Sequence, residues 1–168
     1  MSGRGQKGPD FAPANGNAKL VEDNAPRKAR RYWLTPPDVY AALDAEFHFT
    51  FDPCPYPLPD GFDGLTCEWG ERNYVNPPFL SILHDGRMKG FTAWVRKSIE
   101  ESRKGKLVVL VVPIDKWVLM LLGAMKTRVR NLGDVRWLSV EDGTAGKGVG
   151  RHIGCFILDG RRRRRKAS

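Results

Sequence analysis

The run Lys106-Leu107-Val108-Val109-Leu110-Val111-Val112 constrains the fold of this chain more than any other segment. In an extended chain successive side chains point to opposite faces, so a strand made from these residues is apolar on both. Such a strand is stable only inside a sheet covered on both sides, the usual setting of parallel strands. The expectation is a central, parallel strand over residues 106–112, closed by Pro113, in an α/β sheet.

The flanking segments supply covering helices and further strands. Residues 89–103 form an amphipathic pattern, with Phe91, Trp94, Val95 and Ile99 inward and Lys89, Arg96, Lys97 and Arg103 outward. An earlier helix is expected from Thr35 as N-cap and Pro36 as first helical residue to about Phe47, with Val39, Leu43 and Phe47 on one face. Short strands are expected at 49–51, 73–75, 128–131, 135–140 and 152–158, a helix at 116–125, and a further short element at 65–69. Residues 80–88 read as a loop, and four prolines between Pro53 and Asp63 make that stretch a constrained one. Alternating strands and helices followed by antiparallel-looking strands describe one α/β domain over residues 32–160.

The 168-residue length suits one domain with a real core. No apolar run reaches membrane-spanning length and no signal-peptide core opens the chain, so a soluble intracellular protein without a membrane partner is expected. Cys54, Cys67 and Cys155 fall at unrelated spacings, which argues against a disulfide framework and against a bound metal. Charge is unevenly divided. Residues 1–31 hold seven Lys/Arg and three Asp/Glu, and residues 161–168 hold six basic residues and no acid. Of the net +9, the two tails therefore carry +10 and the body −1. Both tails read as disordered. They suit phosphate-binding arms for nucleic acid, and equally a solubility segment or an import signal.

The segment Tyr74-Val75-Asn76-Pro77-Pro78-Phe79 carries the chemistry. An exocyclic amine delocalises its lone pair into the adjoining ring and is a poor nucleophile. The amide oxygen of Asn76 and the carbonyl of Pro77 can each accept one N–H from such an amine, freeing the lone pair for attack. Pro77 and Pro78 restrict the backbone and hold Asn76 extended, and Phe79 offers a flat face for a stacked base. Ordinary strand-end turn chemistry explains the same residues. Company decides between the two readings: Asp52-Pro53 and Asn76 both fall at strand ends, where α/β sheets bind their ligands.

The ordered set Trp33-x-Thr35-Pro36, Phe51-Asp52-Pro53-Cys54, Trp69 and Asn76-Pro77-Pro78-Phe79, then a helix and a Val-rich strand ending in Val112-Pro113, resembles the phage-type DNA N6-adenine methyltransferase family over roughly residues 32–159. The resemblance implies a single Rossmann-like methyltransferase domain flanked by basic tails, with S-adenosylmethionine as cofactor and DNA, through a flipped adenine, as partner. It implies a catalytic role for Asn76, Pro77, Pro78 and Phe79. Thr35 and Pro36 match the segment around the cofactor's methionine carboxylate, and Asp52, Pro53 and Cys54 match the acidic segment lying against the cofactor. Trp33 and Trp69 are candidates for lining its pocket, and Asp63 and Glu68 for its ribose. His84 and Arg87 fall where substrate contacts are expected. Only 21 residues separate Asp52 from Tyr74, too few for two further β-α units, so the expected sheet is a reduced, mixed one. The same tetrapeptide also suits an RNA adenine or a protein glutamine. The absence of glycines after Asp52 leaves open a non-catalytic nucleic-acid-binding relative.

Overall fold

The computed structural model of the chain describes residues 33–78, 82–84, 87–115, 118–124, 127–146 and 152–161. The expected disordered tails lie outside the described residues, Arg161 apart, as do Phe79 and Lys116. Along the chain the elements are β1 (Trp33–Leu34), α1 (Pro37–Phe47), β2 (Arg72–Val75), β3 (Ile82–His84), β4 (Arg87–Lys89) and α2 (Phe91–Arg103). They continue with β5 (Leu107–Pro113), α3 (Val118–Ala124), β6 (Arg128–Asn131), β7 (Leu138–Ser139) and β8 (Ile153–Asp159).

The protein is mixed α/β, built on a four-stranded mixed sheet in the order β2-β5-β8-β6. All seven residues of β5 are buried, as the apolar run requires. The expected mixed sheet is present, with β5 parallel along one edge alone. β5 is parallel only to β2, with Val75 opposite Leu110, and antiparallel to β8, with Leu107 opposite Asp159 and Pro113 opposite Ile153. Burial on both faces demands a neighbour at each edge but leaves the direction of that neighbour open. β6 lies antiparallel to β8 at the sheet edge.

Alternation along β5 creates two cores. Val108, Leu110 and Val112 face Trp94, Val95 and Ile99 of α2 and Leu121 of α3. Leu107, Val109 and Val111 face Leu43 and Phe47 of α1, together with Tyr74, Val135 and Trp137. Helices thus cover the sheet on both sides.

Local details depart from the sequence pattern in instructive ways. α1 begins at Pro37 with Pro36 at its cap position and no side-chain cap, because the Thr35 hydroxyl is engaged elsewhere. Residues 49–51 contribute a single bridge, Phe51 to Asn73, and 65–69 hold no helix or strand, only the end of a turn over 64–66. The expected loop at 80–88 contains the hairpin β3–β4, with His84 opposite Arg87. The strand expected at 135–140 shrinks to β7, which pairs with β1 in a separate two-stranded sheet.

At the amino end of β5 sits a buried ion network. The Glu101 carboxylate, inaccessible to solvent, accepts from Lys97 Nζ (2.9 Å), Lys104 Nζ (2.8 Å) and Lys106 Nζ (2.7 Å). Lys106 Nζ also donates to the Trp69 carbonyl at 2.5 Å. Helix α2 is thereby tied to β5 and to the chain entering β2. Gly160 closes the same corner: a Cβ there would stand 1.8 Å from the Ser102 carbonyl oxygen.

Burial works to raise the Glu101 pKa, but the hydrogen bonds from Lys104, Lys106 and Lys97 outweigh it and hold the carboxyl at about 2, below its ordinary 4.5. A depressed folded-state pKa stabilises the fold above pH 4.5, and that stability is lost as pH falls toward 2. Denaturant titrations from pH 7 to pH 2 should show this loss in the native protein and a flattened acid limb in Glu101→Gln. At pH 7 the variant should be less stable by roughly 3 kcal/mol, because Lys106 is left buried with only the exposed Glu68 at 3.7 Å to oppose its charge.

Candidate active site

Three chain segments end together at the carboxyl edge of the sheet. Phe51 runs parallel to β2, its N–H bonded to the Arg72 carbonyl (3.1 Å) and its own carbonyl to Tyr74 N–H (3.0 Å). β2 is parallel to β5, so Asp52, Asn76 and Ile114 all emerge on one side. Asp52 stands level with Tyr74 and therefore about 7 Å short of Asn76 along the strand direction.

Asn76 is held by segments remote in sequence. Its Nδ2 donates to the Trp33 carbonyl at 2.8 Å and lies 3.4 Å from Thr35 Oγ1. A carbonyl oxygen only accepts, so the amide must turn its NH2 toward Trp33 and its oxygen away. That oxygen, Oδ1, is buried and has no hydrogen-bond partner among the described residues. Leaving an acceptor so placed costs about 1–3 kcal/mol. Pro77 and Pro78, both buried, continue the chain from it.

The support beneath Asn76 is aromatic. Tyr74 lies two residues earlier on the same face of β2, and its hydroxyl shares a hydrogen bond with Thr35 Oγ1 at 2.5 Å. Tyr40 meets the Tyr74 ring edge-on at 4.9 Å between centroids, and Phe49 packs at 5.2 Å. Burial pushes the Tyr40 phenol up to about 12 and that of Tyr74 higher still, with the Asp52 charge adding to both. Both phenols stay neutral, Tyr74 as a hydrogen-bonding support for Thr35 and Tyr40 as a ring packed against it.

Asp52 is electrostatically unusual. Burial lifts its carboxyl from the ordinary 3.8 to about 7, against the opposing pull of the Cys54 backbone N–H, which donates to Oδ1 at 2.7 Å. The loop beyond it is held by close packing: a Cβ on Gly64 would stand 1.9 Å from the Pro53 carbonyl oxygen, and Trp69 Nε1 donates to the Gly64 carbonyl at 2.7 Å.

The structure brings Thr35 and Asn76 together and sets Asp52 on the same edge. Pro36 helps to start α1, its carbonyl accepting Tyr40 N–H at 3.0 Å. Pro53 is buried under Gly64, and the Cys54 side chain packs against the core beside α2 while its backbone N–H donates to Asp52. Phe79 lies outside the described residues. Two candidates belong to other places. Trp69 is core, and its carbonyl meets Lys106 at the opposite, amino edge of the sheet, where Glu68 also approaches Lys106 at 3.7 Å. Asp63 accepts Leu65 N–H at 2.8 Å and shapes its own turn. Arg87 is exposed on the hairpin. The sequence reading missed Tyr40, Tyr74 and the carbonyl of Trp33. For Tyr74 a signal existed, since a residue two before Asn76 in a strand must share its face.

These features define a mixed α/β domain with a polar, partly unsatisfied site at the carboxyl edge of its sheet. No protein-family model, curated protein or solved structure matches the chain.

Because the folded-state pKa of Asp52 lies above its ordinary value, stability should fall as pH rises from about 3.8 to about 7, where the enclosed carboxyl is forced to ionise. Asp52→Asn keeps the acceptor for Cys54 N–H and removes the charge. Urea denaturation should find this variant more stable than the native protein at pH 8, by roughly 2 kcal/mol, and nearly equal to it at pH 3.5. Equal stability at both pH values would show that the carboxyl is not enclosed.

Proposed function

We propose that this chain is an S-adenosylmethionine-dependent methyltransferase of reduced Rossmann-like form, acting on the N6 amino group of adenine in DNA. The observation that carries the reading is the Asn76 amide: its NH2 is fixed on Trp33 and Thr35, and its buried oxygen is left without a donor. An amino group presented there supplies the missing N–H. Accepting that N–H draws the nitrogen lone pair out of the ring and makes it available for attack. The carbonyl of Pro77 takes the second N–H, and Phe79 stacks on the base. An adenine reaches such a site only when turned out of the duplex. The nitrogen becomes more acidic once methylated, so its proton passes to solvent without a dedicated base.

The residues suit the cofactor in charge. Asp52 offers a half-buried carboxyl whose ionised form a cationic ligand favours, on the same edge as Asn76. S-adenosylmethionine, when bound, supplies an electrophilic methyl group. In this reading Thr35 acts through Asn76, since its hydroxyl is engaged by Tyr74 and approached by the Asn76 amide. The polybasic tails supply sequence-independent affinity for the phosphate backbone.

Labelled-methyl transfer to unmethylated duplex DNA, with RNA and protein as parallel acceptors and base-resolution mapping of the product, tests the proposal. Label on adenine N6 of DNA is expected. Label on RNA or on glutamine moves the substrate, and calorimetry that detects no cofactor binding at millimolar concentration ends the enzyme reading. Asn76→Ala should lower kcat by about 100- to 1,000-fold with cofactor and DNA affinity nearly unchanged. Deleting residues 161–168 should weaken DNA binding and flatten its salt dependence while leaving kcat intact.

A further inference from the structure

The carboxyl edge of the sheet carries a second ordered polar group, away from Asn76. Gly133 N–H donates to Asn131 Oδ1 at 2.8 Å, and Asn131 Nδ2 lies 2.8 Å from His152 Nδ1. A backbone N–H only donates, so Gly133 fixes the amide with its oxygen inward and its NH2 toward the imidazole. His152 Nδ1 must then accept, and the ring proton resides on Nε2. Both side chains are exposed. An exposed imidazole samples several rotamers unless something holds it, and here a two-step relay from the backbone does so.

The relay stands on the same edge as the Asn76 site. β6 is antiparallel to β8, and β8 to β5, so β6 ends where β5 and β2 end. The His152 carbonyl accepts Ile114 N–H at 3.1 Å, which joins this corner to the end of β5. β8 lies two strands from β2. Relative to β5, Asn76 is level with Val111 and His152 with Ile114. At about 4.8 Å between strands and 3.3 Å per residue, the two positions lie some 14 Å apart in the sheet plane, His152 on the face of Phe156 and Asn76 on that of Tyr74, so a ligand touching both lies across the edge. One DNA strand rises about 3.4 Å per nucleotide, so this spans about four steps.

We infer that His152, positioned by Asn131, donates its Nε2 proton to a backbone phosphate of the DNA flanking the flipped nucleotide. The inference rests on the proposed DNA substrate and adds a contact that the basic tails do not supply. In this neutral form the imidazole anchors register and releases no counter-ion, unlike a Lys or Arg contact.

The test is binding of the full-length protein to an unmethylated duplex oligonucleotide, by fluorescence anisotropy at pH 8 across a salt series. His152→Ala should weaken binding roughly three- to ten-fold, the range for one lost hydrogen bond, with the slope of log affinity against log salt unchanged. Asn131→Ala should reproduce much of that loss, and His152→Gln, which keeps a donor, should recover part of it. Unaltered affinity in His152→Ala overturns the inference, as does a loss accompanied by a slope lower by about one, the mark of a charged contact. Native protein that binds no duplex DNA overturns the underlying reading instead, and methyl transfer by the native protein separates the two failures.

Discussion

Strand β5 has apolar side chains on both faces and backbone donors and acceptors along both edges, so all four of its sides must be covered before it is stable in water. The edges go to β2 and β8, the faces to α1 on one side and to α2 and α3 on the other. Each of its fully buried Val and Leu side chains contributes about 1.5–3 kcal/mol. The connection from β2 to β5 passes through α2, and this crossover forces the two strands to run the same way. Their carboxyl ends therefore open together. The opposite end of β5 receives Lys106 and the buried Glu101, so the strongest electrostatic anchor and the candidate site occupy opposite edges of one sheet.

Asn76 shows how a short strand end acquires a fixed chemical direction. Its own backbone places the amide at the edge, but the orientation comes from Trp33 and Thr35, some 40 residues earlier. Trp33 is in turn held by β7, with Trp33 opposite Ser139, and a Cβ on Gly146 would stand 3.0 Å from its ring. The segment from β7 to Gly146 has no side chain bonded to Asn76 and still determines where its oxygen faces. A small second sheet, β1–β7, is thus the lever between the Gly-rich region and the site.

The sequence made β2, β5, β6, β8 and all three helices legible, β5 and β8 through their unbroken apolar runs and α2 through its apolar period. A mixed sheet was legible, but not which edge of β5 takes the antiparallel neighbour, since both neighbours meet the same row of buried Val and Leu. The hairpin β3–β4 escaped because strands of three residues are too short to establish a period. Within the site, the coincidence of Asp52 and Asn76 at one edge followed from strand order alone. The Thr35–Tyr74 hydrogen bond and the Asn131–His152 relay did not, because each joins side chains that only the closed fold brings together. Glu68 and Trp69, candidates for the site, lie at the other edge, where Lys106 meets both at the amino end of β5.

Two features at the carboxyl edge work against folding. The Asn76 oxygen is buried without a donor, and the Asp52 carboxyl is enclosed so that ionising it at neutral pH is costly. Glu101 is matched by three lysines, whereas Asp52 accepts the Cys54 N–H and meets no cation among the described residues. The two deficits call for complementary groups, an N–H donor at Asn76 and a positive charge at Asp52. Under the function proposed above, an amino-bearing base would supply the first and a sulfonium cofactor the second. On this view the edge is kept unsatisfied by the fold, at a cost of a few kcal/mol that the buried network at the amino edge helps to offset.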